Sequence, residues 1–172
     1  MRFALLDILC GQRGFIMHPI LRTTFSILIV LQFLVVTMHD WLNIPGWTHG
    51  RQVQAAIGRR KFLLATLANS IFPGLAVAFI FLFRGDHTPS FVRNYWVIYC
   101  AVTAISAVMM WYVPYFFGAD DKTKRLYADM YAGTKQVLPP RGDNPRPNLL
   151  HLYFHGLFLL TFSFALALRV PS

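Results

Sequence analysis

Four stretches of the chain are almost unbroken runs of apolar residues, and polar segments separate them. They cover about 23–42, 62–83, 95–117 and 149–168. Each holds roughly 20 residues, and at 1.5 Å per residue that length crosses the ~30 Å of hydrocarbon in a bilayer. A helix buried in a soluble core is seldom so long and so apolar on every face. The pattern predicts an all-α integral membrane protein: an up-and-down bundle of four transmembrane helices in one domain, residues 1–172. Aromatic side chains mark the borders. Trp41 and Trp47 follow the first run, Tyr95 and Trp96 open the third, and Trp111, Tyr112 and Tyr115 close it. Such rings favour the headgroup level.

The polar pieces carry patterns of their own. At the N-terminus, Phe3, Leu6, Ile8 and Leu9 with Arg2 and Arg13 predict a short helix lying in the membrane interface. Asp7 breaks that apolar stretch, so it does not read as a signal peptide. In the third loop, 118–148, "DDKTKRLYADMYAG" predicts a short helix with Asp120 or Asp121 capping its start and Gly133 its end. Leu126, Tyr127, Met130 and Tyr131 share one face, while Lys122, Lys124, Arg125 and Asp129 face away. A basic amphipathic helix of this kind suits an anionic lipid surface; a protein partner is the other reading. Pro139, Pro140, Pro145 and Pro147 then stiffen the chain up to Asn148, an expected N-cap for the last span. The "RGD" at 141–143 is a three-residue match and carries no weight.

Composition sharpens the picture. Charged residues make up 13%, about half the share in soluble domains, and the mean hydropathy is +0.48. The net charge of +9 would suggest nucleic acid in a soluble protein. Here basic loops explain it, and no nucleic-acid partner is expected. Arg2, Arg13, Arg22, Arg84, Arg93 and Arg169 lie on the side of the termini. Arg51, Arg59, Arg60, Lys61, Lys122, Lys124, Arg125, Lys135, Arg141 and Arg146 lie in loops one and three. That bias places loops one and three in the cytoplasm and the termini outside. The expected location is a plasma membrane of the bacterial inner-membrane kind. The two cysteines, Cys10 and Cys100, form no CxxC pair, so no zinc or redox dithiol site is indicated.

Polar residues inside the spans are the candidate chemistry, because in hydrocarbon they seek a partner or a water cavity. Gln32, His39 and Asn43 fall on one helical stripe with Asp40 beside it. Span two carries Thr66, Asn69 and Ser70, span three Tyr112 and Tyr115, and span four His151 and His155. Spans one and two meet at loop one; spans three and four meet at loop three. Both loops lie on one side, so this set falls in one half of the bilayer. It predicts a polar layer of His39, Asn69, Ser70, Tyr112, His151 and His155, with Arg59 and Arg60 at its rim.

Interhelical glue is one reading of that layer. A second gives a divalent metal on His39, Asp40, His151 and His155, since histidines at i and i+4 can share one ion. The "HxxxH" of the last helix is similar to that of seven-helix membrane hydrolases that hold zinc. This chain has four spans, and that activity is not carried over. A third places a haem between His39 and His151 or His155. A fourth gives a lipid or quinone headgroup, with Arg59, Arg60 and Lys135 steering phosphate. Glutamate is absent from the chain, which removes the usual general base of zinc hydrolases. The expected function is therefore non-enzymatic: an accessory protein that binds a ligand, a membrane partner or a second copy of itself within the lipid bilayer. The alternative is a metal- or haem-dependent oxidoreductase or lipid-modifying enzyme using His39, His151 and His155.

Overall fold

The computed structural model describes residues 15–16, 19–83 and 87–168. The expected interfacial helix from Arg2 to Arg13, and Cys10 with it, lies outside the described residues. The chain is mostly helical, and four helices are long and apolar enough to cross a membrane: Pro19–Trp41, Arg59–Leu82, Ser90–Phe117 and Leu149–Ala167. Helix α1 (Pro19–Met38) tightens into a 3₁₀ turn at His39–Trp41. The chain therefore leaves the helix before Asn43, which lies in strand Asn43–Ile44 and pairs with Thr48–His49. The predicted stripe through positions 32, 36 and 39 thus stops short of Asn43. Its side-chain oxygen instead accepts from the Arg51 N–H, 3.2 Å.

Loop one holds a helix that the apolar pattern does not announce, α2 (Gly50–Ile57). Gly58, with φ +80°, separates it from α3 (Arg59–Leu82). That backbone conformation suits glycine alone among the residues without a strain cost. Helix α4 (Ser90–Ala107) runs through a π turn, Val108–Tyr112, into α5 (Val113–Phe117). Pro114 has no N–H to offer the Met110 carbonyl one turn back, and the Tyr127 hydroxyl donates there instead, 2.9 Å. Loop three forms α6 (Asp121–Met130), capped as expected: the Asp120 carboxylate accepts from the Thr123 N–H, 3.0 Å. The last span is α7 (Leu149–Ala167). At the opposite face Phe15–Ile16 pairs with His87–Thr88.

Helix α1 packs against α3 and α7, and α4 packs against α7. A buried core of Phe25, Ile29, Ala76, Trp96, Cys100 and Ala165 fills the half nearer loop two. There α3 and α4 are tied together. The Trp96 indole donates to the Ala76 carbonyl (3.2 Å), the Tyr95 hydroxyl donates to the Phe72 carbonyl (2.8 Å), and Phe79 meets Tyr95 edge-on at 5.1 Å. Toward loops one and three the two helices are lined by cavities instead. Ile27, Leu64, Leu67 and Ile98 are exposed, as side chains facing lipid tails are. Gln32 is fully buried, and neither end of its amide has a hydrogen-bond partner among the described residues.

The amphipathic loop-three helix departs from expectation in what it covers. Its apolar face is turned toward the protein. It packs on α2, and Leu126, Tyr127, Met130 and Tyr131 roof a cavity between the spans. The proline-rich strap that follows is anchored at two points in its first half. The Tyr115 hydroxyl donates to the Pro139 carbonyl (2.9 Å), and the Lys135 N–H donates to the Gly46 carbonyl (2.7 Å). The charges of the RGD tripeptide are engaged within the protein: Arg141 stacks over Phe116 at 4.8 Å, and Asp143 pairs with Lys124 at 2.8 Å.

Candidate functional site

The roofed cavity has a volume of about 360 Å³ and is the meeting point of six helices, α1, α2, α3, α4, α6 and α7. Its polar lining comprises His39 and Asp40 from the end of α1, Asn69 from α3, Thr103 and Ser106 from α4, Tyr127 and Tyr131 from loop three, and His151 and His155 from α7. Five of the residues expected from the sequence are thus gathered: His39, Asp40, Asn69, His151 and His155. Tyr112 adjoins them through the His155 Nδ1, 3.2 Å from its hydroxyl. Ser70 is turned away. It lies 3.1 Å from the Thr37 hydroxyl and donates to the Thr66 carbonyl. Arg59, Arg60 and Lys135 are exposed and line no part of the cavity.

Local chemistry fixes each ring. His151 is buried in the first turn of α7. The Asn148 side-chain oxygen accepts the His151 backbone N–H (3.0 Å) and faces its Nδ1 (2.7 Å), while the Asn148 amide NH₂ donates to the Trp47 carbonyl (3.3 Å). The amide is therefore oriented, and its oxygen can only accept. His151 must carry its proton on Nδ1, which leaves Nε2 as an acceptor. Trp111 lies against this ring at 4.0 Å between centroids, and Tyr131 meets it edge-on at 5.2 Å.

His39 obeys the same logic. Its Nδ1 lies 3.0 and 3.1 Å from the carbonyls of Val35 and Val36, both acceptors, so the proton sits on Nδ1. Its Nε2 lies 3.2 Å from Asp40 Oδ1. Two lone pairs at that distance repel, so one proton is held between them: either the imidazole is cationic or the carboxyl is protonated. In both cases the pair sums to zero charge. Asp40 Oδ1 is itself buried, and His39 Nε2 is the group it faces. Tyr131 lies close by. Burial, and after it the Asp40 charge, hold its phenol well above the usual 10, so it stays a hydroxyl.

The metal and haem readings gain no ligand set. Among the described residues no three His, Cys, Asp or Glu side chains gather closely enough to hold an ion. One nitrogen of His39 and one of His151 already face fixed oxygens. The rings of His39 and His151 also touch edge-to-face, 5.7 Å between centroids, which leaves no slot for a macrocycle between them.

A second cavity, about 570 Å³, lies below the first between α1, α3 and α4. Val36, Asn69, Thr103 and Ser106 line both. Pro73 in α3 contributes at their junction, because it offers no N–H to the Asn69 carbonyl. The lower cavity is lined mainly by apolar groups, including Phe72, Ile98 and Val102. Sequence reasoning missed Trp111, Tyr127 and Tyr131 as site residues; they read as border aromatics and as a lipid-facing stripe. Their signal was the aromatic crowding of 111–115 opposite the aromatic face of 126–131. Comparison with protein families, curated proteins and solved structures finds no match to this chain.

Proposed function

We propose that the chain is an up-and-down four-helix membrane bundle that binds an amphipathic lipid, without chemistry of its own. The lipid lies in the slot between α3 and α4, its head in the roofed cavity and its chains in the lower one. The observation that carries this reading is the shared wall of Val36, Asn69, Thr103 and Ser106. It makes one slot, polar above and apolar below, of a size typical of ligand sites, roughly 300–1,000 Å³. Because α3 and α4 are joined mainly near loop two, the ligand enters sideways from the bilayer.

Filling the slot tests the proposal. Ser106 is exposed where the cavities join, so Ser106→Trp adds bulk there without displacing core atoms. Mass spectrometry of lipid retained by the purified protein should show about a tenfold loss, a change worth about 1.4 kcal/mol, with little change in melting temperature. An unchanged lipid complement in the variant sinks the proposal.

We also propose that loops one and three, and with them the roof of the slot, face the cytoplasm of a cell with a plasma membrane of the bacterial kind. The excess of Lys and Arg in those loops supports it. A reporter enzyme joined after Ser172 should then be active on the outer side. Cytoplasmic activity at that junction reverses the sidedness and leaves the slot where it is.

A further inference from the structure

We infer that the protein carries a second lipid site, on the outer face between α5 and α7, for an anionic phospholipid whose phosphate meets Arg141 and whose chain lies in the groove beside it. This site goes beyond the slot between α3 and α4 and does not depend on it. The groove has a local cause. Helix α4 packs against α7, whereas α5, beyond the π turn, packs on it far less. A cleft of about 370 Å³ opens along that side. Val108, Val113, Phe116 and Leu159 are among the apolar residues that line it, and its polar members, Tyr112 and His155, face each other at 3.2 Å. The groove runs from Phe117, where the span ends, to Ala104. Ala104 lies thirteen residues before Phe117, about 20 Å of helix. The hydrocarbon of one leaflet is about 15 Å deep, half of the bilayer core. The groove therefore leads from the membrane border through one leaflet, which is the path of a phospholipid chain and not of a free ion.

Arg141 stands at the head of that path. Its guanidinium lies over the Phe116 ring at 4.8 Å and over the Tyr115 ring at 5.5 Å. Phe116 is thus both a wall of the groove and the platform under the cation. The stack holds the guanidinium without using its N–H groups, and among the described residues no hydrogen bond or ion pair takes them up. Its neighbours are already matched. Arg146 donates to the Leu138 carbonyl, 3.3 Å, and Asp143 pairs with Lys124, 2.8 Å. A planar fork of N–H donors fits the oxygens of a phosphate. The charge of the loop selects the rest of the headgroup. Residues 118–148 hold six basic and four acidic side chains, an excess of two positive charges. A headgroup with an ammonium of its own meets that excess unfavourably, and one that carries only the phosphate charge does not.

The test compares two lipids with the same chains. Full-length protein in detergent is titrated with dioleoyl phosphatidylglycerol and with dioleoyl phosphatidylcholine, and bound lipid is read by native mass spectrometry. Phosphatidylglycerol should bind about fivefold more tightly, a change of about 1 kcal/mol and the worth of one Arg at an anionic headgroup. Arg141→Gln should remove that preference, and Arg141→Lys should restore most of it. Arg125→Gln should leave it intact, because Arg125 is an exposed cation of the same loop that lines no part of the groove. Val108→Trp fills the groove from an exposed position; it should weaken both lipids several-fold with little change in melting temperature. Ser106→Trp, which closes the slot, should leave the Arg141-dependent preference in place, so the two sites fail separately. Equal affinities for the two lipids, a preference that survives Arg141→Gln, or an equal loss in Arg125→Gln overturns the inference. So does unchanged binding in Val108→Trp. A preference abolished by Ser106→Trp puts the anionic lipid in the slot and overturns it as well.

Discussion

Replacing Asn148 with leucine costs about 3–5 kcal/mol of stability, from a lost cap and buried polar groups left unpaired. Few single changes in this protein cut so many bonds. Asn148 is 1% exposed. Its oxygen caps α7 through the His151 N–H and holds the His151 ring by Nδ1, and its NH₂ group holds the Trp47 carbonyl of loop one. Leucine has nearly the same shape and none of these bonds, so the loss is of bonding and not of volume. A missing N-cap alone is worth about 1 kcal/mol. Each buried donor or acceptor then left bare adds roughly 1–3 kcal/mol, and partial relaxation trims the total. Asn148→Asp should fall between, since it keeps the cap oxygen and loses the bond to Trp47. Thermal unfolding in detergent, followed by circular dichroism, ranks the three proteins. A leucine variant within 1 kcal/mol of the parent would mean that water replaces Asn148 freely and that the His151 tautomer is not fixed by it.

Some of this was legible in the sequence because it follows from periodicity and cap chemistry. Long apolar runs give spans whatever surrounds them, and Asn148 and Asp120 cap helices through atoms within three residues of themselves. The common level of His39, Asn69, His151 and His155 followed from counting turns from the loops. What the chain did not disclose is which neighbour each face meets. Leu126, Tyr127, Met130 and Tyr131 form the same stripe whether they cover lipid or a cavity, and the covering helix α2 is too short and polar to announce itself. Ser70 sits at the right depth, yet faces Thr37 and not the cavity, because azimuth depends on packing between helices. Arg59 and Arg60 looked like a rim by position alone. They open α3 on its exposed side, where long basic side chains keep their heads in water. The lower cavity arises from the way α3 and α4 are joined near loop two, a property of two helices and of neither sequence by itself.

The floor of loop one makes the last large effect. Gly50→Ala should cost about 3 kcal/mol, the upper end of the range for overpacking, and should abolish lipid retention with it. Gly50 is buried at the start of α2, and its N–H donates to the Leu42 carbonyl, 2.9 Å. A Cβ at this position would overlap the Asp40 carbonyl oxygen and stand 2.9 Å from the Trp41 carbonyl carbon. Every atom in its way is backbone, so no side chain can swing aside. The 3₁₀ turn His39–Trp41 must move, and that turn sets the His39–Asp40 pair at the head of the slot. Gly156→Ala is the matched control. It lies inside α7 with no atom within 4 Å of the added carbon, so alanine there should gain up to about 1 kcal/mol through helix propensity. Melting temperature and retained lipid, measured on both variants, should therefore fall together in Gly50→Ala, whereas Gly156→Ala should hold or raise the melting temperature and leave lipid untouched. A Gly50→Ala protein that melts with the parent and keeps its lipid would show that the turn yields at little cost, and that Asp40 is not held in place by the close approach of α2.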